Sequence, residues 1–303
     1  MFNEESTRHS RVLFDFGGSV MKHFCDLHTH SYYSDGTFAP EQLLRQAQQL
    51  GLSAIALTDH NTVAGLPEFL AAGERYNVEA IPGIEITAEF CGEELHILGL
   101  FLQNEALAPL EEIMSEVRMR KARSERALVE ALCEKGMNLS YDAIQASTPD
   151  GNINRAHIAT EMVNKGYVSS YQEAFTTWLS PEWGLYHPAK RLDAFEVIRL
   201  IKSLGATAVL AHPFLSLNEE QLRCFLPRAA ECGLDGMETL YSKYDAATTA
   251  LATRIAEEYD LLPSGGSDFH GGNKPDVQMG TGWGDLRVPS CIISDLKKRT
   301  IIK

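Results

Sequence analysis

Two histidines spaced to share one strand face, His28 and His30, are the first residues of this chain that could do chemistry. They lie in Asp26-Leu27-His28-Thr29-His30-Ser31, with Ser34-Asp35-Gly36 just behind. Side chains two apart leave the same face of an extended strand, so both imidazoles can address one ion while Leu27 and Thr29 face away. A lone His-x-His can equally be a pair of capping or hydrogen-bonding side chains. Recurrence favours the metal. Further histidines and acids sit in short segments that each read as a strand end followed by a turn: Thr58-Asp59-His60, Pro82-Gly83-Ile84-Glu85, His96 in Glu94-Leu95-His96-Ile97-Leu98-Gly99, Ala211-His212-Pro213 and Ser267-Asp268-Phe269-His270.

The candidate metal ligands are therefore His28, His30, Asp35, His60, Glu85, His96, His212, Asp268 and His270. A single catalytic zinc takes about three protein ligands and keeps a position open, so this set suits two or three divalent ions with bridging carboxylates. Imidazole and carboxylate without thiolate fit Mn, Zn or Fe. Three such ions would bring about +6 against about −3 from Asp35, Glu85 and Asp268, leaving a positive pocket that suits a phosphate. Metal-bound hydroxide would be the nucleophile, and the ions would neutralise charge on phosphorus.

The elements that must position these residues are legible from periodicity. Pro40 to Leu50 has the apolar spacing of an amphipathic helix, with Gly51 as its stop. Ser53 to Leu57 reads as a buried strand and Val63 to Tyr76 as a helix, followed by three short β segments, Ala80-Ile81, Ile84 to Ala88 and Leu95 to Phe101. From about residue 105 to 190 helical periodicity takes over, with helices expected over Leu110 to Lys135, Asn154 to Lys165 and Tyr171 to Leu179. Alternation then returns: helix Ala194 to Leu204, strand Ala206 to Leu210, helix Glu219 to Cys232, strand Leu234 to Leu240, helix Ala246 to Tyr259 and strand Leu261 to Pro263. This predicts an α/β fold with a largely parallel sheet, ligands at its C-terminal mouth, and a helical insertion.

Composition narrows the partners. A net charge of −14 argues against long nucleic acid and anionic membrane surfaces, which need basic patches, and leaves small substrates or short oligomers. The six cysteines are scattered without Cys-x-x-Cys spacing and read as reduced thiols of a cytoplasmic protein. Cys25 alternates away from His28 if its strand is regular. No run approaches the roughly 18 apolar residues of a membrane span. Residues 1–21 read as an N-terminal extension without the features of a secretory signal.

Taken together, Asp26-Leu27-His28-Thr29-His30-Ser31 with Ser34-Asp35-Gly36, Leu57-Thr58-Asp59-His60, Pro82-Gly83-Ile84-Glu85, Ala211-His212-Pro213 and Gly266-Ser267-Asp268-Phe269-His270-Gly271 resemble, in order, the motifs of the polymerase and histidinol phosphatase (PHP) family of metal-dependent phosphoesterases. The resemblance spans residues 22 to 101 and 192 to 275. It implies a distorted seven-stranded (β/α) barrel formed by 22–104 and 191–303, a trinuclear metal centre on the nine residues above, and 105–190 as a helical substrate lid.

Within that insertion, Asn154-Arg155-Ala156-His157-Ile158-Ala159 is similar to the Gly-Arg-Pro-His-Ile-Ala segment of members that dephosphorylate nucleotides or trim short RNA from the 5′ end. Tyr186-His187-Pro188 resembles their Tyr-Val-Pro. The resemblance implies Arg155, His157, Tyr186 and Lys190 as substrate residues. The expected reaction is in-line attack of a metal-bridging hydroxide on a phosphomonoester of AMP, a nucleoside 3′,5′-bisphosphate or the 5′ end of a short RNA. Arg155 would stabilise the transferring group, and His157, His187 or a metal-bound water would protonate the leaving alkoxide. Asp59 would orient His60, act as a general base or cap a turn. The rival readings are a histidinol-phosphate or sugar-phosphate phosphatase, an amidohydrolase, and a non-catalytic PHP module.

Overall fold

The computed structural model describes residues 24–148 and 153–300. The extension expected over 1–21 lies outside the described residues. The chain begins with strand β1 (Phe24–Thr29), helix α1 (Pro40–Leu50), strand β2 (Ala54–Leu57) and helix α2 (Leu66–Gly73). α1 has the expected bounds: Pro40 opens it and Gly51 closes it in the left-handed region at φ 74°. α2 is shorter than expected.

The next segment departs from simple alternation. The first two of the three expected β segments form one long strand, β3 (Glu79–Phe90), which turns directly into β4 (Glu93–Leu100). Cys91 and Gly92 both have positive φ, 52° and 87°, the backbone of a two-residue hairpin turn, so β4 must run antiparallel to β3. The reversal matters for the site. His96 lies early in its strand, yet the antiparallel register puts it opposite Thr87 of β3 and opposite Ala211, next to His212.

Helices α3 (Asn104–Glu134), α4 (Tyr141–Ser147), α5 (Arg155–Asn164) and α6 (Tyr171–Ala174) follow, α6 continuing into a π-helical turn over Phe175–Leu179. The first half of α3 buries Ala106, Leu110 and Met114 towards the barrel. Its second half contributes Leu128, Val129 and Leu132 to a separate core with Tyr141, Ile144, Ile158 and Met162. Asn154 caps α5 by accepting from the backbone of Ala156 and His157. The α/β pattern resumes with β5 (Leu192–Asp193), α7 (Ala194–Ser203), β6 (Thr207–Ala211), α8 (Glu219–Glu231), β7 (Gly236–Tyr241), α9 (Ala246–Glu258) and β8 (Leu262–Gly266), and ends with β9 (Val288–Pro289) and α10 (Ile292–Lys298).

The strands are ordered β8-β7-β6-β4-β3-β2-β1-β9, with β5 added beside β3. The seven from β8 to β1 curl into a nearly closed barrel. At the seam, Thr29 bridges Phe269, the Asp268 amide donates to the His28 carbonyl at 2.9 Å, and the His30 amide donates to the Phe269 carbonyl at 2.9 Å. The helices cover the outer face through a core that includes Leu43, Leu44, Ile55, Leu57, Phe69, Ile84, Ile86, Ile198, Ile201, Leu210 and Phe225. A second cluster joins Leu27, Ala54, Ala56, Ile81, Leu100 and Val209 to Val288 and Leu296, so β9 and α10 plug the end where the parallel strands begin. Cys25 is buried in this cluster and donates weakly to the Val288 carbonyl. The β1–β2 register shifts between Asp26 and Thr29, so β1 is not the regular strand that simple alternation assumes. No described helix is long and apolar enough to cross a membrane.

Candidate metal centre and its cavity

All nine candidate ligands converge at the open end of the barrel, around Glu85. This carboxyl is fully buried and faces five imidazoles. Its Oε2 lies 3.1 Å from His28 Nε2, 3.2 Å from His30 Nε2 and 3.0 Å from His60 Nδ1. Its Oε1 lies 2.8 Å from His96 Nδ1 and 3.0 Å from His212 Nε2. Asp268 Oδ1 approaches His30 Nε2 at 3.2 Å, and Asp35 Oδ1 approaches His270 Nε2 at 3.1 Å.

These contacts are close, yet many lack hydrogen-bond geometry. His28 Nε2, both ring nitrogens of His30, His60 Nδ1, Glu85 Oε2, His96 Nδ1 and His270 Nε2 are buried without a hydrogen-bond partner. Orphaned polar atoms normally cost free energy, and seven gathered at one point need an explanation. Ligands each about 2.0–2.2 Å from a shared ion sit roughly 3 Å apart without pointing at one another, which is the arrangement found here. Four overlapping donor groups result among the described residues: His28, His30, Glu85 and Asp268; His30, Asp35, His60 and His270; His60, Glu85 and His96; and His28, His212 and Glu238. The donors fit divalent ions.

Backbone strain accompanies this convergence. His212 adopts a positive φ of 28°, which a histidine keeps only where the surroundings enforce it, while Asn61 and Asp268, residue types that tolerate the left-handed region, sit at 51° and 57°. Gly266 is required for another reason: a Cβ there would lie 2.4 Å from the Cβ of His28, so only glycine lets β8 come this close to β1.

The electrostatics are those of a site built for cations. Burial would strip the proton from His28, but Glu85 and Glu238 outweigh it and hold this imidazole well above the ordinary range. Burial is likewise overcome at His30, raised to about 9 by Asp268 and Glu85, and at His96, raised to about 10 by Glu85 and Glu94. At His60 burial prevails and lowers the group to about 3. Glu85 and Asp268, despite their burial, are held well below the carboxylate range by the surrounding imidazoles. Positive charge is thus already demanded at this point.

A surrounding layer orients these donors. Glu238 on β7, absent from the sequence-derived set, is fully buried; its Oε1 lies 3.0 Å from His28 Nδ1 and its Oε2 accepts from the His212 amide at 2.7 Å. The signal was a single acid in the otherwise uncharged run Gly236-Met237-Glu238-Thr239. Asp26 accepts from the Ser267 amide and hydroxyl and from the Gly280 amide, tying β1 to the turn carrying Asp268. Asp59 accepts from the Ser31 amide at 2.7 Å, the Ser31 hydroxyl at 2.6 Å and the Ser34 hydroxyl at 2.7 Å. Both of its oxygens are therefore committed to the loop between His30 and Asp35, and a general-base role, one of the expectations for it, is not what this geometry offers.

A cavity of about 680 Å³ opens from the donors Asp35, His60, His96 and His270 towards the helices, where Glu125, Tyr141 and His157 line it. Of the residues expected to meet substrate, His157 alone lines this cavity. Arg155 instead lies over the Tyr186 ring at 4.7 Å and the Phe175 ring at 5.5 Å and donates to the Leu179 carbonyl. Tyr186 is half-buried beneath it, and Lys190 and His187 are exposed, the His187 carbonyl accepting from Ser124. The cavity cations that spacing did not single out are Arg118, Lys121 and Lys274.

Comparisons with known proteins agree with this geometry. The model of the PHP domain matches residues 26–180. A 5′-3′ exoribonuclease of Haemophilus influenzae is 32% identical over 246 residues, 81% of this chain and 89% of that protein. A phosphoribosyl 1,2-cyclic phosphate 1,2-diphosphodiesterase of Eggerthella lenta is 34% identical over 258 residues, 83% of this chain and 97% of that protein. A solved structure of a candidate metal-dependent phosphoesterase from Bifidobacterium adolescentis superposes with a TM-score of 0.72 at 28% identity, covering 92% of this chain and 96% of the other. A barrel mouth crowded with metal-competent donors, a family model spanning half the chain and relatives aligned along most of it lead to one conclusion: this chain belongs to the PHP-domain family of metal-dependent phosphoesterases.

Proposed function

We propose that this phosphoesterase removes phosphate from nucleotides, acting on AMP, on a nucleoside 3′,5′-bisphosphate or at the 5′ end of a short RNA. The observation that carries the reading is the cavity itself, which joins the metal donors to the helical unit over 105–190 and is large enough for a nucleotide. In this reading His28, His30, Asp35, His60, Glu85, His96, His212, Asp268 and His270 hold two to three divalent ions, Mn, Zn or Fe. Bound ions supply Lewis-acid neutralisation of phosphoryl charge and activation of water at neutral pH. The chain's own residues do the rest. Glu238 and Asp26 fix the donors, His157 meets the substrate from the helical side, and Arg155 on Tyr186 braces the wall behind it.

The relative from Haemophilus influenzae, an exoribonuclease, supports a nucleotide end as substrate. The one from Eggerthella lenta favours a second reading, a cyclic phosphodiester of a phosphorylated sugar. Phosphate release from the Mn-loaded protein separates the two. We expect AMP, a nucleoside 3′,5′-bisphosphate or 5′-phosphorylated RNA to be preferred over histidinol phosphate and a ribosyl cyclic phosphate, with activity lost to chelator. Preference for either of the latter two overturns the nucleotide reading.

A further inference from the structure

Lys274 stands out among the cavity cations. Arg118 is occupied, donating to the Asn61 carbonyl and to Glu111, and Lys121 lies along α3 where its charge acts on Glu94 and Glu125. Lys274 instead places Nζ 2.8 Å from Oδ2 of Asp268, a carboxylate whose other oxygen faces the histidine cluster. Its side chain is 38% exposed and lines the cavity with Asp35, His60, His96 and His270.

Its position is built in. The turn before it is stitched to the Asp35 loop: the Gly272 amide donates to the Thr37 hydroxyl at 2.8 Å and Asn273 donates to the Asp35 carbonyl at 2.7 Å. The lysine is not needed to satisfy Asp268 Oδ2, which already accepts from the Tyr241 hydroxyl at 2.9 Å. An ammonium pressed on a metal-donor carboxylate withdraws charge from it and weakens it as a ligand. Such a placement calls for a function beyond metal binding. With one of its three N–H donors on Asp268, the ammonium keeps two for the cavity.

We propose that Lys274 is a catalytic residue that holds a non-bridging oxygen of the transferring phosphoryl group beside the metal ions. The inference rests on the phosphomonoesterase reading above. Water alone balances the reaction: a P–O bond forms to a water-derived oxygen, the ester P–O bond breaks, one water proton ends on the leaving alkoxide, and Lys274 keeps its own proton. Its fixed charge stabilises the charge gathered on the phosphoryl oxygens.

The test compares wild type, Lys274→Met and Lys274→Arg in the full Mn-loaded chain, on the preferred phosphomonoester and with inorganic phosphate as inhibitor. For Lys274→Met we expect kcat/KM to fall about 100-fold and the phosphate inhibition constant to rise about tenfold or more, while Mn affinity by chelator competition stays level or tightens. Lys274→Arg should recover part of the activity. A Met variant within about threefold of wild type in both kinetic readouts, or one whose Mn affinity falls in step with its activity, overturns the proposal. If Lys274→Met fails to fold, acetylation of Lys274 in the wild-type holoprotein decides: inorganic phosphate should slow it, and unchanged labelling overturns the proposal. A wild type that releases no phosphate from any monoester defeats the substrate reading, while phosphate protection of Lys274 still reports on this residue alone.

Discussion

Glu238 gives the sharpest prediction about the metal centre. Its two oxygens face His28 Nδ1 at 3.0 Å and the His212 amide at 2.7 Å. The amide can only donate, so in Glu238→Gln the carboxamide oxygen must stay on His212 and the NH2 group must face His28. That makes Nδ1 an acceptor and moves the ring proton to Nε2, the nitrogen 3.1 Å from Glu85 that addresses the metal. Loss of such an orienting carboxylate typically costs about 10–100-fold in metal affinity, or about 1.4–2.7 kcal/mol. Glu238→Ala leaves both donors unpaired and adds about 1–3 kcal/mol of destabilisation for each. Chelator competition on the refolded metal-free protein measures the affinity, and urea unfolding of the same sample measures the stability. Metal affinity of Glu238→Gln within about twofold of wild type would show that Glu238 does not set the His28 tautomer.

Further expectations follow from the same site. In the metal-free protein His30 and His96 titrate at about 9 and about 10, above the unfolded value of about 6.5, so their contribution to stability is complete below about pH 6.5 and is lost as pH rises towards 10. The thermal midpoint of the chelated protein should therefore fall over that window and that of the Mn-loaded protein should not; parallel profiles would count against it. Glu125, buried in the cavity wall, is raised to about 7 by burial, so its cost is absent below about pH 4.5 and complete above pH 7. Glu125→Gln should stabilise the protein at pH 8 by up to about 3 kcal/mol and leave it unchanged at pH 4.5, and equal urea midpoints at pH 8 would contradict this. Arg155→Ala, which removes a guanidinium packed on Tyr186 and Phe175, should lower stability by about 1–2 kcal/mol and affect KM more than kcat. A kcat loss above 100-fold with an unchanged unfolding midpoint would show that Arg155 itself reaches the reacting group.

The donors are legible in the sequence because metal chemistry restricts residue type and strand geometry restricts spacing. His28 and His30, or Asp268 and His270, betray themselves through local patterns. Long-range partners leave little local trace, which is why Glu238 and Asp26 pass as ordinary strand acids until β7 and the Ser267 turn are folded against β1. Helix boundaries such as Pro40–Leu50 follow from caps and periodicity. The antiparallel β4 does not, because its cause is the two-residue turn at Cys91-Gly92, in which Gly92 allows a positive φ but Cys91, unlike the Asn of an Asn-Gly turn, does not announce one. Motif likeness also suggested which residues meet substrate, but direction is a tertiary property: Arg155 and His157 are two apart on α5, yet only His157 lines the cavity.

The proposed function requires the Glu85 cluster to be a multinuclear centre that hydrolyses phosphomonoesters. Titrating Mn into the chelated protein, with bound metal and phosphate release from AMP or a nucleoside 3′,5′-bisphosphate followed in the same sample, tests it most directly. Activity should rise with occupancy, level off at two to three ions per chain and vanish in Asp268→Ala. Saturation at a single ion, or phosphate release that persists without metal, would contradict it.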